Sequence, residues 1–214
     1  MKKKALFLSL VLIFCLNFVS YAGNFGATGL ITMPTADVLA ESRLNLAYQH
    51  IFSQPGEDLI TTSYGIRKGV QVGGQITWNQ EAGVGFQPTL KANLLSEQGA
   101  YQPLLSAGVK GRDDNLYLVA SKMIPEYGFR VHLGVGEEKI FKDHVGLGVS
   151  KILNPVVISS GESGFQVPHI NLQAEYNGGL NLGTELRFGS GIKADLSLID
   201  LDRAAVSIGF ENKF

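Results

Sequence analysis

Polarity alternates with a period of two along almost the whole chain beyond residue 42, and no other feature restricts the fold as strongly. A strand sends successive side chains to opposite faces, so this period describes sheet with two chemically different faces. Leu44, Leu46, Tyr48 and Phe52 alternate with Arg43, Asn45, Ala47 and Gln49. Ile60, Thr62, Tyr64 and Ile66 follow. After the turn Arg67-Lys68-Gly69 come Val70, Val72, Ile76 and Trp78, opposite Gln71, Gln75 and Asn79. Further runs cover 90–95, 104–109, 116–121, 129–135, 145–149, 170–176, 180–188, 192–199 and 204–214. Asn177-Gly178-Gly179 and Gly189-Ser190-Gly191 suit tight hairpins that need positive φ. The one candidate helix is short, from Asp37 to Ser42. The connection from Leu153 to Val167, with Pro155, Ser159, Ser160, Gly161 and Gly164, is expected to be a mobile loop that contacts a partner or folds inward.

The chemistry of the two faces identifies the setting. One carries Leu, Ile, Val, Ala and Phe, with Tyr48, Tyr64, Trp78, Tyr176, Phe188 and Phe210 near run ends, the pattern of a lipid-facing band with aromatic girdles. The other carries Gln, Asn, Ser and Gly with sparse charges: Arg43, Lys91, Arg130, Glu175, Glu185, Arg187, Lys193 and Asp195. A solvent-facing sheet usually shows denser Lys and Glu, whereas a confined lumen favours small polar groups and charges of both signs. Membrane strands take about 9–11 residues each, so the expectation is an all-β, antiparallel transmembrane β-barrel of roughly twelve strands, within limits of ten to fourteen. With 45% hydrophobic residues and a net charge of −1, the chain is not disordered. The balance of 18 Lys+Arg against 19 Asp+Glu, with no basic run beyond Lys4, excludes a nucleic-acid partner.

The two ends add a compartment. Met1-Lys2-Lys3-Lys4, an apolar stretch over 5–19 and the small-x-small site Ser20-Tyr21-Ala22 read as a signal peptide cleaved after Ala22. Cys15, the only cysteine, lies inside it, so the exported chain holds no disulfide. Residues 23–41 are then a periplasmic leader or plug-like segment, and 42–214 the barrel. Ser207, Gly209 and the terminal Phe214 resemble the signal read by the outer-membrane assembly machinery, although Asn212 stands where a hydrophobic residue is usual. The expected location is the bacterial outer membrane, with outer-membrane lipid and that machinery as partners.

Four histidines raise the question of catalysis. Small outer-membrane barrels that cleave or transfer acyl chains need a histidine beside a serine and an orienting carboxylate or amide. His50 has Ser53 three residues on, but strand parity turns the two to opposite faces, which leaves His50 as a rim residue. His132 shares a face with Arg130 and joins a lumenal polar network, while His144 and His169 flank connections. Gly161-Glu162-Ser163-Gly164 lacks the spacing of a nucleophile elbow, and Gly111-Arg112-Asp113-Asp114-Asn115 reads as a hairpin tip rather than a calcium loop. No metal site, no cofactor and no enzymatic activity are expected.

The segment Gly26-Ala27-Thr28-Gly29-Leu30-Ile31-Thr32-Met33-Pro34-Thr35-Ala36 resembles the start of the YjbH family of outer-membrane β-barrel proteins associated with exopolysaccharide production. Arg130-Val131-His132-Leu133-Gly134-Val135-Gly136, Ala174-Glu175-Tyr176-Asn177-Gly178, and Asn181-Leu182-Gly183 with Leu186-Arg187-Phe188 are similar to later pieces in the family's order. The resemblance implies a non-enzymatic barrel that supports exopolysaccharide production or export, with polysaccharide or its export proteins as partners, and it carries no catalytic residue. The residues alone also admit a small general porin or structural barrel, and a lipid-modifying enzyme. Arg43, Lys91, Arg130, His132, Glu175, Glu185 and Arg187 are the lumenal polar candidates under the first two readings.

Overall fold

The computed structural model describes residues 28–53, 55–79, 83–111, 115–154, 159–160 and 165–214. The signal-peptide reading over 1–22, the segment 23–27 and the tips at 112–114 and 161–164 lie outside the described residues.

The strands are β1 (Arg43–Ile51), β2 (Glu57–Arg67), β3 (Val70–Asn79), β4 (Gly83–Leu95) and β5 (Leu104–Lys110). They continue as β6 (Asn115–Ile124), β7 (Phe129–Gly136), β8 (Val145–Ile152), β9 (Ser159–Ser160) and β10 (Phe165–Gln166). The last four are β11 (His169–Tyr176), β12 (Leu180–Arg187), β13 (Ile192–Ile199) and β14 (Arg203–Lys213). Twelve of them form one closed barrel in which each strand pairs antiparallel with its neighbours, while β9 and β10 make a separate two-stranded piece in the β8–β11 connection. The seam closes between β1 and β14, from Arg43 opposite Lys213 to Ile51 opposite Ala205. Beyond it the Phe214 amide donates to Ser42 O at 2.8 Å. Closure gives every wall strand a neighbour on each side, although β4 extends past the end of β5 over residues 83–88.

The period-two reading assigns the faces correctly. Outward side chains include Leu46, Tyr64, Ile76, Phe86, Leu118, Leu133, Leu147, Leu172, Leu196 and Phe210, all exposed. The inward face carries Asn45, Gln49, Gln71, Gln75, Lys91, Ser106, His132, Glu175 and Asn181, all buried. Gly178 and Gly191 adopt the expected positive φ, at 70° and 85°.

Residues 37–42 are not the short helix that the sequence suggested: 37–40 take no regular secondary structure and 41–42 form a turn. Backbone groups here bond to the wall instead of to a helical turn, with Leu39 N donating to Gln71 Oε1 and Ser42 N to Gly65 O, both at 2.9 Å. Residues 28–42 therefore run through the lumen as a plug and join β1 at one mouth. The plug's tip is a tight reversal, with Gly29 bridged to Pro34 and hydrogen bonds from Leu30 N to Met33 O and Thr35 N to Thr28 O. Two apolar clusters fix it: Leu30, Met33 and Ala36 pack with Tyr117, Val119, Ile140 and Phe141, and Ile31 packs with Ile51, Leu59, Ile199 and Ala205.

Inward glycines make room for these side chains. A Cβ on Gly134 or Gly146 would lie 2.2 Å or 2.6 Å from the Phe141 ring, and one on Gly148 would lie 2.3 Å from Leu30 Cδ1. Some of the chain's 26 glycines thus serve the lumen's filling rather than turns.

Candidate functional site

Beside the two apolar clusters, the wall residues that face the plug are polar because the plug also presents backbone. A chain that crosses the lumen in irregular conformation exposes N–H and C=O groups that need partners. Glu175, only 2% exposed on β11, answers the N–H groups of the tip. Its carboxylate accepts from Ile31 N (3.0 Å), Thr32 N (2.6 Å), Thr32 Oγ1 (2.6 Å) and Met33 N (3.4 Å), and also from Asn181 Nδ2 (2.8 Å). Successive N–H groups converging on one carboxylate form an anion nest. Lys91 answers the carbonyls: Nζ donates to Thr28 O (3.0 Å), Thr28 Oγ1 (2.7 Å) and Thr35 O (3.1 Å). An anion and a cation thus grip opposite polarities of the same reversal.

The base of the plug is held by neutral groups. Gln71 Oε1 accepts from Thr28 Oγ1 as well as from Leu39 N. Ser106 Oγ donates to Ala36 O at 2.5 Å, and Ala36 N donates to Ser121 Oγ at 3.0 Å. Ser121 Oγ in turn lies 2.8 Å from His132 Nδ1, whose Nε2 lies 3.2 Å from Ser150 Oγ. His132 therefore supports the plug through Ser121.

All seven lumenal candidates fall on the inward side of the wall, but they divide into two groups. Lys91 and Glu175 hold the tip, His132 backs Ser121, and Arg130 pairs with Asp37 of the plug (3.0 Å) as well as with Glu97 (2.8 Å). Arg43, Glu185 and Arg187 sit instead at the mouth that carries Ser42 and Phe214. There Arg43 and Lys193 share Glu211, at 2.7 Å and 3.0 Å, and Arg187 pairs with Glu185. Ser207 donates to Asp195 on the same inward face, and Gly209 is also inward. Phe214 is exposed.

A cavity of about 590 Å³ lies between the plug and this mouth, lined by Asp37, Arg43, Arg130, Arg187, Lys193 and Glu211 among others. On the other side a cavity of about 180 Å³ is lined by Thr32, Lys110, Asn177, Asn181 and Arg203. The β7–β8 connection folds over it. Phe141 of that connection is fully buried, and Lys142 bonds both oxygens of Asp200 at 3.0 Å, with Arg203 on the same carboxylate. Burial raises the Asp200 pKa, but hydrogen bonds from Lys142 and Arg203 outweigh it and hold the carboxyl below the ordinary aspartate value.

The other histidines have structural partners. His144 Nδ1 lies 3.1 Å from Gly136 O, and His169 Nδ1 lies 2.8 Å from Asn154 O. His50 faces outward with Nδ1 2.8 Å from Asp58 Oδ1, a carboxylate that also accepts from Tyr48. Sequence reasoning missed Asp58 because it lies on the next strand, directly opposite His50 in register. Ser53 Oγ donates to Pro55 O at 2.7 Å, so its proton is committed to a backbone carbonyl. Among the described residues no group of three or more His, Asp or Glu side chains could hold a metal ion. Gln71, Ser106, Ser121 and Asn181 were also missed as plug contacts: their inward parity is legible, their partner is not.

No family model matches the chain, and no curated protein sequence matches it. Among solved structures it is similar to the KdgM porin, with 12% identity over 79% of this chain and 99% of that one, at a TM-score of 0.51. The KdgM porin in complex with disordered oligogalacturonate aligns with the same identity and coverage at 0.52. The outer membrane protein Omp33 of Acinetobacter baumannii aligns with 14% identity over 81% of this chain and 99% of that one, at 0.48. What is shared is the fold, a closed antiparallel β-barrel.

Proposed function

We propose that the chain is a porin-type barrel of the bacterial outer membrane whose pore is held closed by its own residues 28–42. The outer wall supports the membrane setting: a continuous belt of exposed Leu, Ile, Val and Phe would be unstable in water and is what a hydrocarbon environment selects. The observation that carries the closed-pore reading is the plug, clamped by Glu175 and Lys91 between two polar cavities. Small polar solutes are the natural cargo of such a lumen, and the protein does not act as an enzyme. Planar-bilayer recording tests this reading. The intact protein should show little steady conductance, and a variant lacking residues 29–35 should conduct in discrete steps. A wide, steady pore in the intact protein, or a folded deletion variant that stays silent, would refute it.

A second reading keeps the YjbH-type role in exopolysaccharide production. One observation favours it: of the segment Gly26 to Ala36 that carries the resemblance, the described residues 28–36 form the tip of the plug, so what that motif does is done inside the lumen. Extracellular polysaccharide measured in Arg130→Ala with Arg187→Ala tests it, because these arginines line the larger cavity. An unchanged yield from a folded double variant would remove this reading.

A further inference from the structure

We propose that the outer wall carries a binding site for one glycerophospholipid, with its phosphate on Lys151 and an acyl chain in the groove beneath. The proposal rests on the membrane reading above.

Lys151 is the penultimate residue of β8, next to the mouth that carries Ser42 and Phe214. Its neighbour Ser150 contacts His132 inside the lumen, so alternation turns Lys151 outward, opposite the exposed Leu172. The ammonium lies 4.4 Å from the centroid of the Phe129 ring and makes no ion pair among the described residues. Outward Lys122 provides the contrast. It lies 3.3 Å from Glu97 and donates to Gly99 O and Gln102 O, so its charge is already answered by the protein. A cation at the end of a membrane strand, with its stem along apolar surface, sits at headgroup depth.

Below Lys151 the outward side chains border a groove of about 600 Å³ that crosses β8, β11, β12 and β13. Its relief comes from side-chain size. Ala174 stands opposite Val149 on one side and Leu182 on the other, and the larger Leu172, Leu196 and Leu198 rise around it. A groove this apolar takes hydrocarbon, and its single unpaired cation matches a single phosphate. A lipid bearing several phosphates would need more positive charge than the groove offers.

Native mass spectrometry of the full chain in detergent tests the site with three probes: a phosphatidylglycerol, the diacylglycerol with the same chains, and soluble glycerol phosphate. The intact protein should retain one phosphatidylglycerol and little of either fragment. Lys151→Gln and Ala174→Phe, the second of which fills the groove, should each lower retention about tenfold, while Lys122→Gln should not. No preference for the phosphate-bearing lipid, retention in both site variants equal to that of the intact protein, or an equal loss in Lys122→Gln would overturn the proposal. Heat-dependent gel mobility reports the folded barrel, and Lys151→Gln alone decides the matter if Ala174→Phe does not fold. Insertion of the intact protein into liposomes separates the two readings. Failure to insert removes the membrane setting, whereas insertion without retained lipid removes only this site.

Discussion

At the scale of single residues, two buried ionisable side chains hold the plug tip largely through its backbone. Among the described residues neither Glu175 nor Lys91 forms an ion pair, so each depends on hydrogen bonds to remain inside the barrel. A hydrogen bond to a charged group is worth about 1.5–3 kcal/mol, and Glu175 concentrates several on three consecutive plug residues. Glu175→Gln keeps the shape but replaces one acceptor oxygen with an amide that donates toward N–H groups. The expected outcome is amide hydrogen exchange at Ile31, Thr32 and Met33 roughly tenfold faster or more. Unchanged exchange would show that packing alone holds the tip. Asp200 works differently, at the other mouth. Its folded pKa lies below the ordinary aspartate value, so the Lys142–Asp200–Arg203 tie contributes stability above that ordinary value and loses it as pH falls through the folded one. The β7–β8 connection should stay docked from neutral pH down past the ordinary aspartate range and loosen only in stronger acid. The chemical shift of the Lys142 side chain during an acid titration would follow this, and loosening near neutral pH would contradict it.

At the scale of elements, most of the wall was legible, whereas residues 23–41 read only as a leader or plug-like segment whose path and contacts were not. Each of the twelve alternating runs became a barrel strand, because burial on one face alone leaves a period that local sequence records. The largest boundary error is β4, which begins at Gly83 rather than near Leu90; Gly85 and Pro88 interrupt the strand signal although both pair with β3. The plug follows no period, since its tip bonds through backbone groups to side chains on strands far away in sequence. The inward parity of Glu175 could be read, but not the turn of backbone it would meet. The same lesson applies to Gly65, which looks like an ordinary strand glycine. A Cβ there would lie 2.1 Å from Ala40 O and 2.8 Å from Leu39 O, both backbone atoms that no rotamer change can move. Gly65→Ala should therefore displace the plug where it leaves the lumen and expose residues 28–42 to limited proteolysis. Gly85→Ala, whose nearest neighbour would be 4.0 Å away, should be silent.

At the scale of the whole molecule, plug and wall share one interior. The leucine-rich outer face cannot serve as a core, so the apolar packing within the barrel is built from both parts. Met33, fully buried, belongs with Tyr117, Val119 and Phe141, and Ile31 bridges to Leu59 and Ile199 across the lumen. A stopper that merely occupied a preformed pore could be removed without effect on the barrel. A plug that completes the interior cannot. Truncating a buried methionine or isoleucine to alanine costs about 2–5 kcal/mol, from lost transfer energy and the cavity left behind. Met33→Ala and Ile31→Ala should accordingly lower the thermal unfolding midpoint, and by weakening the docked state they should also raise the frequency of open-channel events. The two effects should rise together from the intact protein through the single variants to the double variant. Conductance that increased with no change in the unfolding midpoint would show the plug to be a passive stopper. A lowered midpoint in a barrel that never opened would show it to be a permanent part of the wall.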